Sequence, residues 1–189
     1  MAQNLPGFPS PSAGFDEPLS MLASCHERMH AMVALLERLS THIAAHGADG
    51  EACQAANRVI KYFDTAAVHH HADEEEDLFP ALLDAVAGSD AVCIRELTHA
   101  LIADHRKLER HWQALRPHLQ ALASTTEDAA EKWDAEVASQ FATAYRSHLR
   151  REDDDLLPLA NRLLGQAELG QLGRAMKDRR EKAYGPDGA

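Results

Sequence analysis

Aromatic residues make up only 5% of this 189-residue chain, and the short β-branched runs that mark strands are nearly absent. Hydrophobic residues still reach 45%, alanine and leucine are abundant, and glycine and proline gather at a few places, so the sequence predicts an all-α fold. Cysteine is scarce too. Cys25, Cys53 and Cys93 are odd in number, widely spaced and without a Cys-x-x-Cys, which argues against a disulfide framework and a thiolate zinc site and is consistent with reduced thiols in the cytoplasm. Basic residues, nineteen against thirty acids, form no stripe able to replace phosphate counterions, so no nucleic-acid partner is expected at a net charge of -11. No apolar run reaches membrane length, and the first residues form neither a basic nor an apolar leader, so neither membrane insertion nor secretion is expected.

Three segments follow from the punctuation. Residues 1–17, with Pro6, Gly7, Pro9, Pro11 and Gly14, read as an irregular or disordered arm. Residues 18–165 carry four long helical patterns. The first runs from Pro18 or Leu19 to a stop at Gly47, and the second from about Glu51 to Ala87 with a kink expected at Pro80. The third runs from about Ala91, capped by Asp90, to Ala123 with a bend near Pro117, and the fourth from about Asp128 to Leu164, with a cap expected among Ser124, Thr125 and Thr126. A shorter helix, about Ala167 to Ala183, and a Gly/Pro tail fill 166–189. The first two long helices repeat in the second two: Leu22 matches Leu101, Met29 matches Leu108, Phe63 matches Phe141 and Leu78 matches Leu156. This pattern predicts an up-down-up-down four-helix bundle with an internal two-fold repeat.

The same repeat carries the chemistry. His70, Glu74 and Leu78-Phe79-Pro80 in one half correspond to His148, Glu152 and Leu156-Leu157-Pro158 in the other, each with a further histidine upstream, His26 or His105. Residues four apart on a helix share a face, so each His can join its Glu at one centre. Within His69-His70-His71 and the acids that follow, Val59, Phe63 and Leu78 mark the buried stripe, which contains His70 and Glu74 and leaves His69 and His71 about 100° to either side. Val137, Phe141 and Tyr145 select His148 and Glu152 in the same way. Four imidazoles and two carboxylates in a core are costly unless they hold cations, and this donor set suits iron, manganese or zinc, with bridging carboxylates favouring a pair of irons.

These phrases, with their upstream histidines, resemble the hemerythrin-like, or HHE cation-binding, domain across about residues 19–164. The resemblance implies a four-helix bundle around a non-heme di-iron centre. It implies His26, His70, His105 and His148 as terminal ligands, Glu74 and Glu152 as bridges, and zinc or manganese as possible substitutes. It also implies oxygen or nitric oxide as small ligands, with iron or ligand handling or sensing as the role. The enzyme alternative uses the same site on oxygen, peroxide or nitric oxide, or in iron–sulfur cluster repair; a third reading gives the metal a structural role only. Oxygen-carrying members place a second histidine four residues before the position of His105, where this chain has Leu101. His30, His42, His46 and His111 are the candidates for a fifth histidine, with His30 and His46 the better placed.

Overall fold

The computed structural model describes residues 14–86, 88–124 and 128–184. Among them there is helix and no strand. Helix α1 spans Pro18–His46, α2 Gly50–Asp64, α3 Ala66–Asp73, α4 Phe79–Asp84, α5 Ser89–Ala123, α6 Ala135–Arg151, α7 Leu157–Leu163 and α8 Gln166–Tyr184. Two π turns, Glu74–Leu78 and Glu152–Leu156, join α3 to α4 and α6 to α7. The elements form a helical bundle: α1 packs on α2 and α6, and α5 packs on the same two. No helix among the described residues is long and apolar enough to cross a membrane.

Local chemistry sets the ends. Proline occupies the start of α1, where its missing N–H costs no helical bond, and Gly47 closes the helix at φ 78°, a conformation that strains any residue with a Cβ. Asp49 caps α2 by accepting from the N–H groups of Glu51 and Ala52 at 3.0 and 2.9 Å. Asp134 caps α6 in the same way, through Glu136 and Val137. Each cap contributes about 1 kcal/mol. The fourth long helix therefore begins at Ala135 rather than near Asp128, because Asp134 caps it after a run of turns. Asp90 sits inside the first turn of α5, one residue past its start, and α5 continues through Pro117 to Ala123. Ser124 ends α5 instead of capping the next helix; the expected cap positions Thr125 and Thr126, the arm over 1–13 and the tail over 185–189 lie outside the described residues.

The second long helix is interrupted twice. At Thr65 the backbone leaves helical geometry (φ -130°, ψ -78°), and the break is held by Asp64, which accepts from Trp112 Nε1 and from the Arg116 guanidinium. Before Pro80 the chain widens into a π turn, Phe79 N–H bonding back to Glu74 C=O, and Leu157 N–H does the same to Glu152 C=O before Pro158. The proline ring clashes with the carbonyl one α-turn behind it, and a wider turn relieves that clash.

Buried apolar side chains form two clusters, one around Met29, Val33, Phe63, Leu108 and Phe141 and the other around Leu22, Leu78, Leu82, Leu101 and Leu156. Between them along the helices lies a layer of buried polar residues: His26 between Leu22 and Met29, His105 between Leu101 and Leu108, and His70, Glu74, His148 and Glu152 at the same level. Outside this core, α8 lies against α1 and α3. There Gly173 admits the Phe15 backbone so closely that a Cβ would meet its carbonyl oxygen at 2.0 Å.

Candidate metal centre

Four helices and the two π turns contribute to the polar layer. α1 supplies His26, α3 supplies His70 and His71, α5 supplies His105 and α6 supplies His148; Glu74 and Glu152 are the first residues of the two π turns. Glu74, Glu152 and His70 are fully buried, and His26, His105 and His148 nearly so.

The donor atoms form two groups. One atom each from His26, His70, Glu74 and Glu152 lie within 4.8 Å of one another, and so do one each from His71, His105 and His148. The two carboxylates span both groups. Glu74 sets Oε1 at 3.3 Å from His70 Nε2 and Oε2 at 3.4 Å from His105 Nε2. Glu152 sets Oε2 at 3.3 Å from His26 Nε2 and Oε1 at 3.1 Å from His148 Nε2. Each carboxylate thus offers one oxygen to each side.

Two of the outer nitrogens are held in turn. His26 Nδ1 lies 2.6 Å from Asp153 Oδ1 and His105 Nδ1 lies 2.8 Å from Glu75 Oε1, whereas His148 Nδ1 is 4.0 Å from Asp104 Oδ2 and has no hydrogen-bond partner. A carboxylate behind an imidazole fixes its tautomer and raises its basicity as a ligand. His71 is held by the Tyr145 hydroxyl, 3.3 Å from its Nε2, and its ring lies parallel to that of His105 with centroids 4.0 Å apart.

The electrostatics of the metal-free centre are those of charges forced together. Burial opposes a charged His105, but attraction from the close carboxylates of Glu152 and Glu74 prevails and raises it to about 10. Burial and the neighbouring His105 depress His148 to about 3, and they hold His71 well below the usual imidazole range. Burial and the adjacent Glu74 raise Glu152 to about 7, whereas Glu74, despite its burial, is held well below the ordinary carboxylate range by His70 and His105.

Whether these residues fit a cation is decided by their unpaired atoms. All four oxygens of Glu74 and Glu152, with Nε2 of His105 and His148, are buried and take part in no hydrogen bond of acceptable geometry. Such atoms normally find partners, because desolvation without one costs about 1–3 kcal/mol each. Their lone pairs converge on the two groups, so cations would satisfy atoms that the protein leaves unsatisfied, and the residues fit.

All six residues singled out from sequence, His26, His70, Glu74, His105, His148 and Glu152, are brought together. His71 was missed. The stripe through Val59 and Phe63 selects one side chain per turn, but α3 meets α1 with His70 and α5 with the half-buried His71, so two neighbouring histidines reach the centre. None of the four candidates for a fifth histidine takes that place. His30 faces Asp153 at 3.7 Å and is largely exposed, His42 bonds Asp49, His46 lies beside His42, and His111 is outside both donor groups.

Behind the first π turn, Asp73 is fully buried and bound by two arginines of α8: Arg179 contacts it directly, and Arg180 Nη2 lies 2.6 Å from Oδ2. Arg179 also holds Glu76 at 2.8 Å and Asp77 at 2.6 Å. Those short distances clamp the backbone next to Glu74.

Comparison with known proteins agrees with this geometry. A family model described as the hemerythrin HHE cation-binding domain matches residues 17–160. An uncharacterized protein of Haemophilus influenzae is 29% identical over 173 residues, covering 92% of this chain and 95% of its own. Because the family match takes in most of the chain, including every residue of both donor groups, the chain belongs to the hemerythrin HHE cation-binding family.

Proposed function

We propose that this chain is a non-heme di-iron protein that handles or senses iron, oxygen or nitric oxide. The observation that carries the proposal is the division of each buried carboxylate between two imidazole groups, an arrangement suited to two cations rather than one. His26 and His70 would hold one iron, His105 and His148 the other with His71 as a further imidazole, and Glu74 and Glu152 would bridge; zinc or manganese could substitute. The bundle of residues 18–165 would then run up-down-up-down with a two-fold internal repeat, and the helix Gln166–Tyr184 would be an addition to it. A pair of irons so held supplies electron transfer and open positions for a diatomic molecule.

The protein's own part is to orient. Asp153 and Glu75 fix the donor nitrogens of His26 and His105, Tyr145 steadies His71, and the apolar clusters pack against the layer on either side. A cytoplasmic setting fits the three free thiols, of which Cys25 is buried. The test is exposure of the iron-loaded, anaerobically reduced protein to nitric oxide and, separately, to oxygen. The expected result is a change in visible absorption with each gas, proportional to bound iron; a spectrum indifferent to both gases would leave the metal a structural role.

A further inference from the structure

Ten aromatic residues occur in the whole chain, and four of them, Phe63, Trp112, Phe141 and Tyr145, meet at one pocket. Their rings are in mutual contact: Phe63 lies 4.9 Å from Phe141, 5.0 Å from Tyr145 and 5.3 Å from Trp112 between centroids. The pocket has a volume of about 350 Å³, and His71, His105 and Tyr145 bring polar groups to its inner end. Its mouth lies between α3 and α5. There Val68 is one of two large apolar side chains left exposed among the described residues, and the Arg106–Glu75 ion pair sits alongside.

The size does not match a diatomic ligand. A molecule as small as water occupies about 30 Å³, so this cavity is about tenfold larger than such a ligand requires and falls within the range of small-molecule sites. Its charge is also selective. Around the lining Glu75, Glu76 and Glu109 outnumber Arg106 and the protonated His105, three acids against two bases, which disfavours an anion. The walls offer ring faces and edges, and the inner end offers the Tyr145 hydroxyl and the His71 imidazole, already joined at 3.3 Å.

We propose that this pocket binds a small neutral aromatic molecule bearing one hydroxyl, of phenol size, with its ring against Trp112 on the open side of the Phe63–Phe141 cluster and its hydroxyl against the Tyr145–His71 pair. The site adjoins the His71, His105 and His148 donor group and exists without metal, so it is separable from the di-iron reading. Two larger depressions, one beside Phe15 and Lys177 and one beside Cys93 and Pro158, have no contact with either donor group and no comparable aromatic wall.

The test is a fluorine NMR titration of 4-fluorophenol with the full chain, metal-free and iron-loaded in parallel. Saturable binding is expected in the metal-free protein with a dissociation constant of about 1 mM or tighter, reasonable for a ligand of this few atoms. Ala72→Phe, which fills the pocket, and Val68→Trp, which covers its exposed mouth with little demand on folding, should each weaken binding by about tenfold, close to the effect of losing a pocket contact. The anion 4-fluorobenzoate should bind at least about tenfold more weakly, as expected beside carboxylates. No saturable binding of 4-fluorophenol, wild-type affinity in both variants, or equal affinity for the benzoate would each overturn the proposal. Iron content does not enter the metal-free arm, so a failed iron count would leave this result standing.

Discussion

At the scale of single residues, the account rests on which acids and imidazoles face the centre. Replacing Glu74 or Glu152 by Ala removes a donor from both groups, whereas Asp154 belongs to neither group and lies exposed at the surface. Metal analysis after iron-replete expression should find most iron lost in Glu74→Ala and Glu152→Ala and full content in Asp154→Ala. Glu75→Ala should fall between, since Glu75 only orients His105 and such outer partners cost about 10–100-fold in affinity. Metal content in Asp154→Ala as low as in the two buried variants would show that the wrong acids were chosen. The pH dependence has a definite sign. In the metal-free centre Glu152 keeps its proton up to about 7 and His105 up to about 10, so loading at neutral pH must release protons. As pH falls below 7 more Glu152 is protonated and loading should weaken, by about tenfold per unit for each proton displaced. Calorimetry of zinc loading in buffers of different ionisation enthalpy measures that release; uptake of protons, or tighter loading at pH 6 than at pH 7, would contradict it.

At the scale of elements, α8 acts as a clamp on the first metal-ligating turn. Removing both arginines leaves the fully buried Asp73 carboxylate without its cationic partners. The double variant Arg179→Ala, Arg180→Ala should lose about 3–5 kcal/mol of stability, the cost of breaking a buried ion pair from one side. Adding Asp73→Asn should return part of it, as chemical denaturation of the metal-free protein would show; no recovery would mean that the arginines act by packing alone. The helices themselves were legible in the sequence because their apolar stripes are long and their stops are strong. Pro18, Gly47 and the Gln166–Tyr184 helix all fall where the pattern put them. The interruptions were not legible. Thr65 carries no breaker signal, and its neighbour Asp64 is held by Trp112 and Arg116, which are distant in sequence. Pro80 does announce a disturbance, but whether it produces a kink or a π turn depends on how the packed bundle accommodates the ring. His71 lies at the edge of the buried stripe, only half-buried, and joins the centre through its contact with His105 of α5, a partner distant in sequence.

At the scale of the whole molecule, one polar layer divides an apolar core in two, and the cost of burying that layer is offset only if something occupies it. The sequence disclosed the layer through its paired His and Glu, since both halves carry the same spacing. What it could not disclose was that each carboxylate offers its two oxygens to different imidazole groups, a matter of side-chain direction across helices. That division is the central claim, and metal stoichiometry tests it most directly. The measurement is iron per chain after anaerobic, iron-replete loading and removal of free metal, on protein of verified concentration. About two irons per chain are expected, one for each imidazole group that the carboxylates join. A value that stays at or below one, under conditions that saturate the protein, would contradict it.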